Sequence, residues 1–392
     1  MTTTTVGETP RHRTAPFGAT ATVVAATAIV VLSQLYGSIP LFGPVSAEFT
    51  TGEGTVAWVQ TAFGIAYAAA FIAWGPVVDR FGPRRVMLTG QLALIVATVL
   101  ASFAPTFVWL VIGRVVQGAV AASFAPAAFS YLGSRPAPGR RILSVTVLTS
   151  SFLASAVIGQ VAAQVVTGSL DWRWFFRLSA VALVATALSV RLVFLPDPPT
   201  TGASGNPVTV LIRLLSRIPV LLLLVATMCI LGPMIALYTA IGSSGLADGN
   251  ALLVLRASAL PALVWAPFGD RWLSRVAPRR RLTAALVLAA FAAGAVAVTS
   301  ESVVGTGIAM FVVAGAAAVS APAMIQTITG YAPGQRGSVT ALYTCFLFLG
   351  ASIAPSLVSA AAATLPATAV VAGLVSLAGA LLVLSTRTTS TN

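Results

Sequence analysis

Apolar runs of membrane-spanning length fill this chain, and that feature leaves few folds open to it. A helix needs about 20 consecutive apolar residues to cross roughly 30 Å of hydrocarbon. Twelve stretches meet that requirement. In the first half they cover residues 17–39, 58–78, 86–104, 108–132, 142–167 and 175–195. In the second half they cover 219–241, 251–268, 282–299, 303–328, 339–364 and 367–385. Only 8% of the 392 residues are charged, against about 25% in a soluble domain. A mean hydropathy of +0.95 agrees. The expected fold class is an all-α integral membrane protein with 12 transmembrane helices.

Chemistry-bearing side chains are scarce. The single histidine, His12, lies in a polar tail, and Cys229 and Cys345 lie inside apolar runs. Neither a disulfide framework nor zinc-ligand spacing is present. There is no G-x-S-x-G elbow, no HExxH and no pair of carboxylates within the spans, so an enzyme is not expected, nor any cofactor or metal.

The basic excess sets orientation. All 22 basic residues are arginine, against nine acids. Arginine in short loops is retained on the cytoplasmic side. Placing both termini in the cytoplasm puts 18 arginines on that side, leaves Arg173 and Arg177 outside, and leaves Arg114 and Arg256 within spans. These positions are spread over many loops and both tails with no folded domain to present them, so no nucleic-acid partner is expected. The expected setting is the cytoplasmic (inner) membrane of the cell, crossed many times, with the lipid bilayer as solvent and a monomer as the unit.

The organisation is bipartite. Residues 1–16 form a polar tail expected to be disordered. The run that follows exceeds a signal-peptide core and is read as a retained first helix. Residues 17–195 form one six-helix bundle, 196–218 a cytoplasmic linker opened by the Pro/Gly-rich segment PDPPTTGASGNP, 219–386 a second bundle, and 387–392 a tail. The halves also resemble each other. VVQGAVAASFAP at 115–126 parallels VVAGAAAVSAP at 312–322. Pro138-Gly139-Arg140-Arg141 parallels Pro333-Gly334-Gln335-Arg336, and Asp79-Arg80 parallels Asp270-Arg271. Parallel six-helix repeats with a midplane site between them are a transporter architecture.

Three motifs make the resemblance specific. The loop after span two, Gly75-Pro76-Val77-Val78-Asp79-Arg80-Phe81-Gly82-Pro83-Arg84-Arg85, resembles the G-x-x-x-D-R-x-G-R-R/K signature of the major facilitator superfamily. Arg114-Val115-Val116-Gln117-Gly118 is similar to the R-x-x-Q-G signature of its drug:proton antiporter branch. Asp171-Trp172-Arg173-Trp174-Phe175-Phe176 looks like the W-R-W-x-F segment of the same branch. Two departures stand out. Pro83 replaces a basic residue, and span five, from Ser151 to Gln160, lacks the Gly-Pro pair associated with antiport and keeps only Gly159.

The resemblance implies alternating access around a midplane cavity, bordered by spans one, four, seven and ten. It implies gating or coupling roles for Gly75, Asp79, Arg80, Gly82, Arg84, Arg85, Arg114, Gln117, Asp270 and Arg271. Asp79 would act in a cytoplasmic latch, pairing with arginines or with a helix N-terminus. Substrate contact is assigned to Gln34, Arg114, Gln117, Phe124, Met234, Tyr238 and Gln326. A purely structural reading stands beside each role: a solvated turn at Asp79, and a guanidinium satisfied by carbonyls at Arg114. Arg256 either serves the cavity or snorkels to the interface. Gln60, Gln91, Gln160, Gln164, Tyr36, Tyr67 and Tyr343 either line the cavity or bridge helices.

None of the nine acids falls in the middle of an expected span. A cation entering such a cavity would lose its hydration without a counter-charge. The expected substrate is therefore a small neutral, zwitterionic or anionic amphipathic molecule, and any proton carrier sits at a helix end, Asp79 first. Proton-driven efflux, of the kind that confers drug resistance, is the expected function. A gradient-independent facilitator or importer is the rival within transport, and a non-transporting receptor the rival outside it.

Overall fold

A computed structural model describes residues 15–197, 207–263, 275–332 and 336–386. The tail before residue 15, most of the Pro/Gly-rich linker, Asp270, Arg271 and the tail from residue 387 lie outside the described residues. Described residues form helices joined by short turns. Eleven helices among them are long and apolar enough to span a membrane, and a shorter apolar helix stands in the eighth position. The first half holds α1 (Phe17–Tyr36), α2 (Trp58–Phe81), α3 (Pro83–Ala101), α4 (Phe107–Ser134), α5 (Arg141–Thr167) and α6 (Arg173–Val193). The second holds α7 (Ile218–Ser243), α8 (Gly249–Leu263), α9 (Pro278–Val298), α10 (Val303–Tyr331), α11 (Arg336–Ala360) and α12 (Leu365–Ser385). The description of α8 stops at Leu263, short of the end expected for span eight.

Three segments differ from the sequence expectation. The first span was expected to run to residue 39, but α1 ends at Tyr36; a 3-10 turn at Ile39–Leu41 and a short helix at Phe42–Phe49 follow. Pro40 and Pro44 lack the N–H groups that an unbroken helix needs there. The fourth span breaks between Phe107–Ala121 and Phe124–Ser134, four residues before Pro126 removes a backbone donor. Trp74 of α2 donates from Nε1 to the freed region at the Ala119 carbonyl, 2.8 Å away. The linker segment carries a helix at Pro207–Leu215 whose apolar side packs on α7 and α11.

Packing follows the bipartite plan. Within the first six helices α1 lies against α5 and α6, α2 against α4, and α3 against α4 and α6. Within the last six α9 lies against α10 and α12, and α7 against α10, α11 and α12. The two groups meet chiefly where α2 packs on α11 and α5 packs on α8. Helix directions alternate, which defines a basal face carrying Ala15 and Thr386 and a far face carrying the α1–α2 and α7–α8 connections.

Candidate functional site

Arg114 is the most enclosed charge in the structure, with no exposed surface. About two turns inside α4, it reaches α1 and α2 directly and α3 through Gln117. Nε donates to the Val59 carbonyl at 2.8 Å, Nη2 to the Gln34 carbonyl at 2.6 Å and Nη1 to Gln117 Oε1 at 3.0 Å. Gln117 Nε2 in turn donates to Thr98 Oγ1 of α3 at 2.9 Å. The Gln34 carbonyl belongs to the last turn of α1, where acceptors have no intrahelical donor and the helix dipole favours a cation. Phe63 lies 4.4 Å from the guanidinium and adds a cation–π contact. The arrangement ties α1, α2, α3 and α4 together at one point. Arg114 and Gln117 thus face the inside of the first half, and the Arg114 donors go to carbonyls and an amide.

The loop between α2 and α3 turns at Gly82, whose φ of 88° favours glycine. Asp79, Arg80 and Arg85 are exposed, with Arg80 lying 5.4 Å over the Phe81 ring. Gly75 sits in α2 with room where a side chain would be. The acid that meets the N-terminus of α3 is Asp197 from the linker. Its two oxygens accept from the backbone N–H groups of Arg84 at 3.0 Å and Arg85 at 2.9 Å. Arg84 also donates from Nη2 to the Arg191 carbonyl at 2.7 Å, Arg135 donates to the Pro196 carbonyl, and Tyr131 Oη accepts from Leu195 N at 2.9 Å. The helix-terminus contact considered for Asp79 is made by a residue 118 positions further on in the chain.

At the far face, Glu48 accepts from both terminal nitrogens of Arg173 at 2.6 Å and from Trp172 Nε1 at 2.7 Å. The Asp171–Phe176 motif therefore fastens the short helix at Phe42–Phe49 to the start of α6. Sequence spacing gave no sign of Glu48, because it lies 125 residues from Arg173.

Polar contacts between the halves gather on the far side. Thr61 Oγ1 donates to the Ser352 carbonyl at 2.9 Å and lies 2.6 Å from Ser356 Oγ. Gln60 Nε2 donates at 3.4 Å to the Ala351 carbonyl, which Pro355 four residues on leaves without its helical donor. From α5, Gln164 Nε2 donates to the Gly249 carbonyl at 3.0 Å, and Gln160 Oε1 accepts from Arg256 Nη1 at 2.6 Å. Tyr238 donates to the Arg256 carbonyl at 3.0 Å. Between these contacts a cavity of about 1360 Å³ opens at the far face. Its lining includes Pro40, Gln164, Ser243, Asn250, Arg256 and Glu301.

Nearer the middle, the seam is aromatic. Tyr67 of α2 meets Phe348 of α11 edge-on, centroids 4.9 Å apart, and Phe348 meets Phe152 of α5 at 6.1 Å. The hydroxyls of Tyr36 and Tyr67 are buried without a hydrogen-bond partner, as is Gln60 Oε1.

The expected substrate residues are not gathered at one point. Gln34 is buried in the last turns of α1, its Nε2 donating to Val30 and its Oε1 unpartnered. Phe124 starts the second segment of α4, and Met234 is buried beside Pro233 in α7. Gln326 stands near the basal end of α10, away from the middle, and accepts from Arg281 Nη2 at 2.9 Å.

A two-part bundle of membrane-length helices with polar contacts along one seam defines a multi-pass membrane protein of transporter architecture. A family model described as the major facilitator superfamily matches residues 20–355, and the chain belongs to that superfamily. It is 32% identical over 181 residues to a puromycin resistance protein of Streptomyces alboniger, covering 46% of this chain and 35% of the relative. It is 30% identical over 160 residues to a multidrug resistance protein B homolog of Mycobacterium tuberculosis, covering 41% and 29%. A lincomycin resistance protein of Streptomyces lincolnensis is 31% identical over 163 residues, covering 41% and 33%. The matches span about a third of the length of these relatives.

Proposed function

We propose that this protein exports a small amphipathic molecule, neutral, zwitterionic or anionic, by alternating access driven by the proton gradient. The observation that carries the reading is the seam between the halves. Its polar contacts lie at the far ends of α2, α5, α8 and α11, while its middle is packed by aromatic rings. A seam built this way opens at one end by exchanging a few hydrogen bonds with water, each worth only about 0.5–1.5 kcal/mol net. The names of the relatives, puromycin, multidrug and lincomycin resistance proteins, support a role in resistance to drug-like compounds. The arginine distribution supports a basal face turned to the cytoplasm, in the inner membrane. Asp79, exposed at the basal end of α2, is the first choice for proton coupling, with Arg80, Arg84 and Arg85 beside it. Gln34, Met234, Tyr238 and Phe124 remain the assigned substrate contacts, with Arg114 and Gln117 acting on them by fixing α1 and α4.

Counterflow in proteoliposomes, with and without an imposed pH gradient, tests the coupling. Acceleration of substrate exit by the gradient is the expected result. Exchange that ignores the gradient establishes the facilitator reading, which the missing Gly-Pro pair in α5 favours. Efficient movement of ethidium with neglect of neutral and anionic compounds would overturn the assigned substrate class.

A further inference from the structure

We propose that Arg256 anchors a carboxylate-binding site in the far-face cavity, on a substrate's path through the protein. The proposal rests on the transport reading and narrows its substrate class to molecules that carry a carboxylate.

Arg256 is 2% exposed yet lines the cavity. Its Nη1 is committed to Gln160. Its Nε is buried with no hydrogen-bond partner, and Nε and Nη2 together form the side edge of the guanidinium fork. That edge matches the two oxygens of a carboxylate, each accepting one of two parallel N–H bonds. Space beside it is kept by Gly242, where a β-carbon would lie 2.9 Å from Nη2. The ion pairs among the described residues join Arg173 to Glu48 and Asp171; none of them reaches Arg256. Glu301 shares the cavity lining without forming an ion pair to it. A guanidinium this far out of water is costly unless an anion meets it. Arg114, enclosed as deeply, spends its donors on the protein; Arg256 holds one edge in reserve. Gln164 Oε1, buried and unpartnered on the α5 side of the same cavity, adds an acceptor for a hydroxyl or ammonium hydrogen. The site therefore suits a small carboxylate carrying a neighbouring donor.

Salicylate and salicylamide separate charge from shape, since one differs from the other by exchange of the carboxylate for a neutral amide. With the purified full-length protein, salicylate is expected to bind at least about tenfold more tightly than salicylamide, the scale of a charge-assisted hydrogen bond. Arg256→Gln is expected to remove that preference, and Arg256→Lys to keep part of it. Gly242→Ala leaves the charge in place but fills the space beside Nη2, and is expected to weaken salicylate several-fold in a protein that remains folded. Equal binding of the two compounds, binding of neither, or a preference that survives Arg256→Gln overturns the site. Loss of salicylate binding on titration with phosphatidylglycerol would assign the guanidinium to lipid headgroups and overturn it too. Transport assays keep the two readings apart. Export that is indifferent to Arg256 leaves the transport reading standing and removes the site. Arg256-dependent binding without transport does the reverse.

Discussion

Arg114 shows how a membrane protein can hold a full charge in its interior. Its donors are met by two carbonyls and an amide oxygen, one of the carbonyls from a helix end that has no donor of its own. Replacing it by methionine leaves those three acceptors bare, at about 1 kcal/mol or more each. Arg114→Met is expected to lower the unfolding midpoint in detergent by an amount matching a loss of about 3 kcal/mol. Arg114→Ala is expected to abolish transport while the protein still reaches the membrane; full transport in that variant would reduce the residue to a structural support. The R-x-x-Q-G spacing was enough to place Arg114 and Gln117 on one helical face. It could not say that this face turns into the first half, because the partners come from α1, α2 and α3.

Prolines and glycines decide the shape of individual helices. Pro126 breaks α4, and Pro355 frees a carbonyl of α11 that Gln60 then uses across the seam. Gly64 of α2 lies where any β-carbon would overlap the Ser352 side chain of α11, so the two helices meet this closely only with glycine at that position. Gly64→Leu is expected to hold them apart at an overpacking cost of about 1–3 kcal/mol. Cys345, buried with its Sγ 3.3 Å from the Ala68 carbonyl, reports the separation. In a Cys229→Ser background its maleimide labelling should accelerate by about fivefold or more. An unchanged rate would show that α2 and α11 tolerate the bulk without moving. Asp197 acts at the same scale, meeting the exposed N–H groups of α3. Asp197→Ala should cost about 1 kcal/mol of thermal stability and Asp197→Asn less; equal losses would point to charge, not capping, as its contribution.

At the scale of the molecule, the seam is the part that has to move. Thr61 and Ser356 face each other across it with oxygens 2.6 Å apart, close enough for a disulfide once both are cysteine. In a background without Cys229 and Cys345, oxidising Thr61→Cys/Ser356→Cys is expected to close the far side and stop transport. Reduction is expected to restore it. Transport that continues with the bond formed would rule out opening between α2 and α11 at that face.

Spanning length, helical class and two-part organisation were legible in the sequence because each is a property of a local window. Twenty apolar residues must hydrogen-bond internally in lipid whatever surrounds them. The motifs identified the superfamily for the same reason. Which face of each helix turns inward is a different matter, fixed by contacts between residues far apart in the chain. Glu48 finds Arg173, Asp197 takes the helix terminus considered for Asp79, and Gln160 finds Arg256 in the other half. Uniformly apolar helices carry little amphipathic signal to announce these pairings, so only the tertiary structure could decide that Arg114 is spent on the protein and Arg256 keeps an edge free.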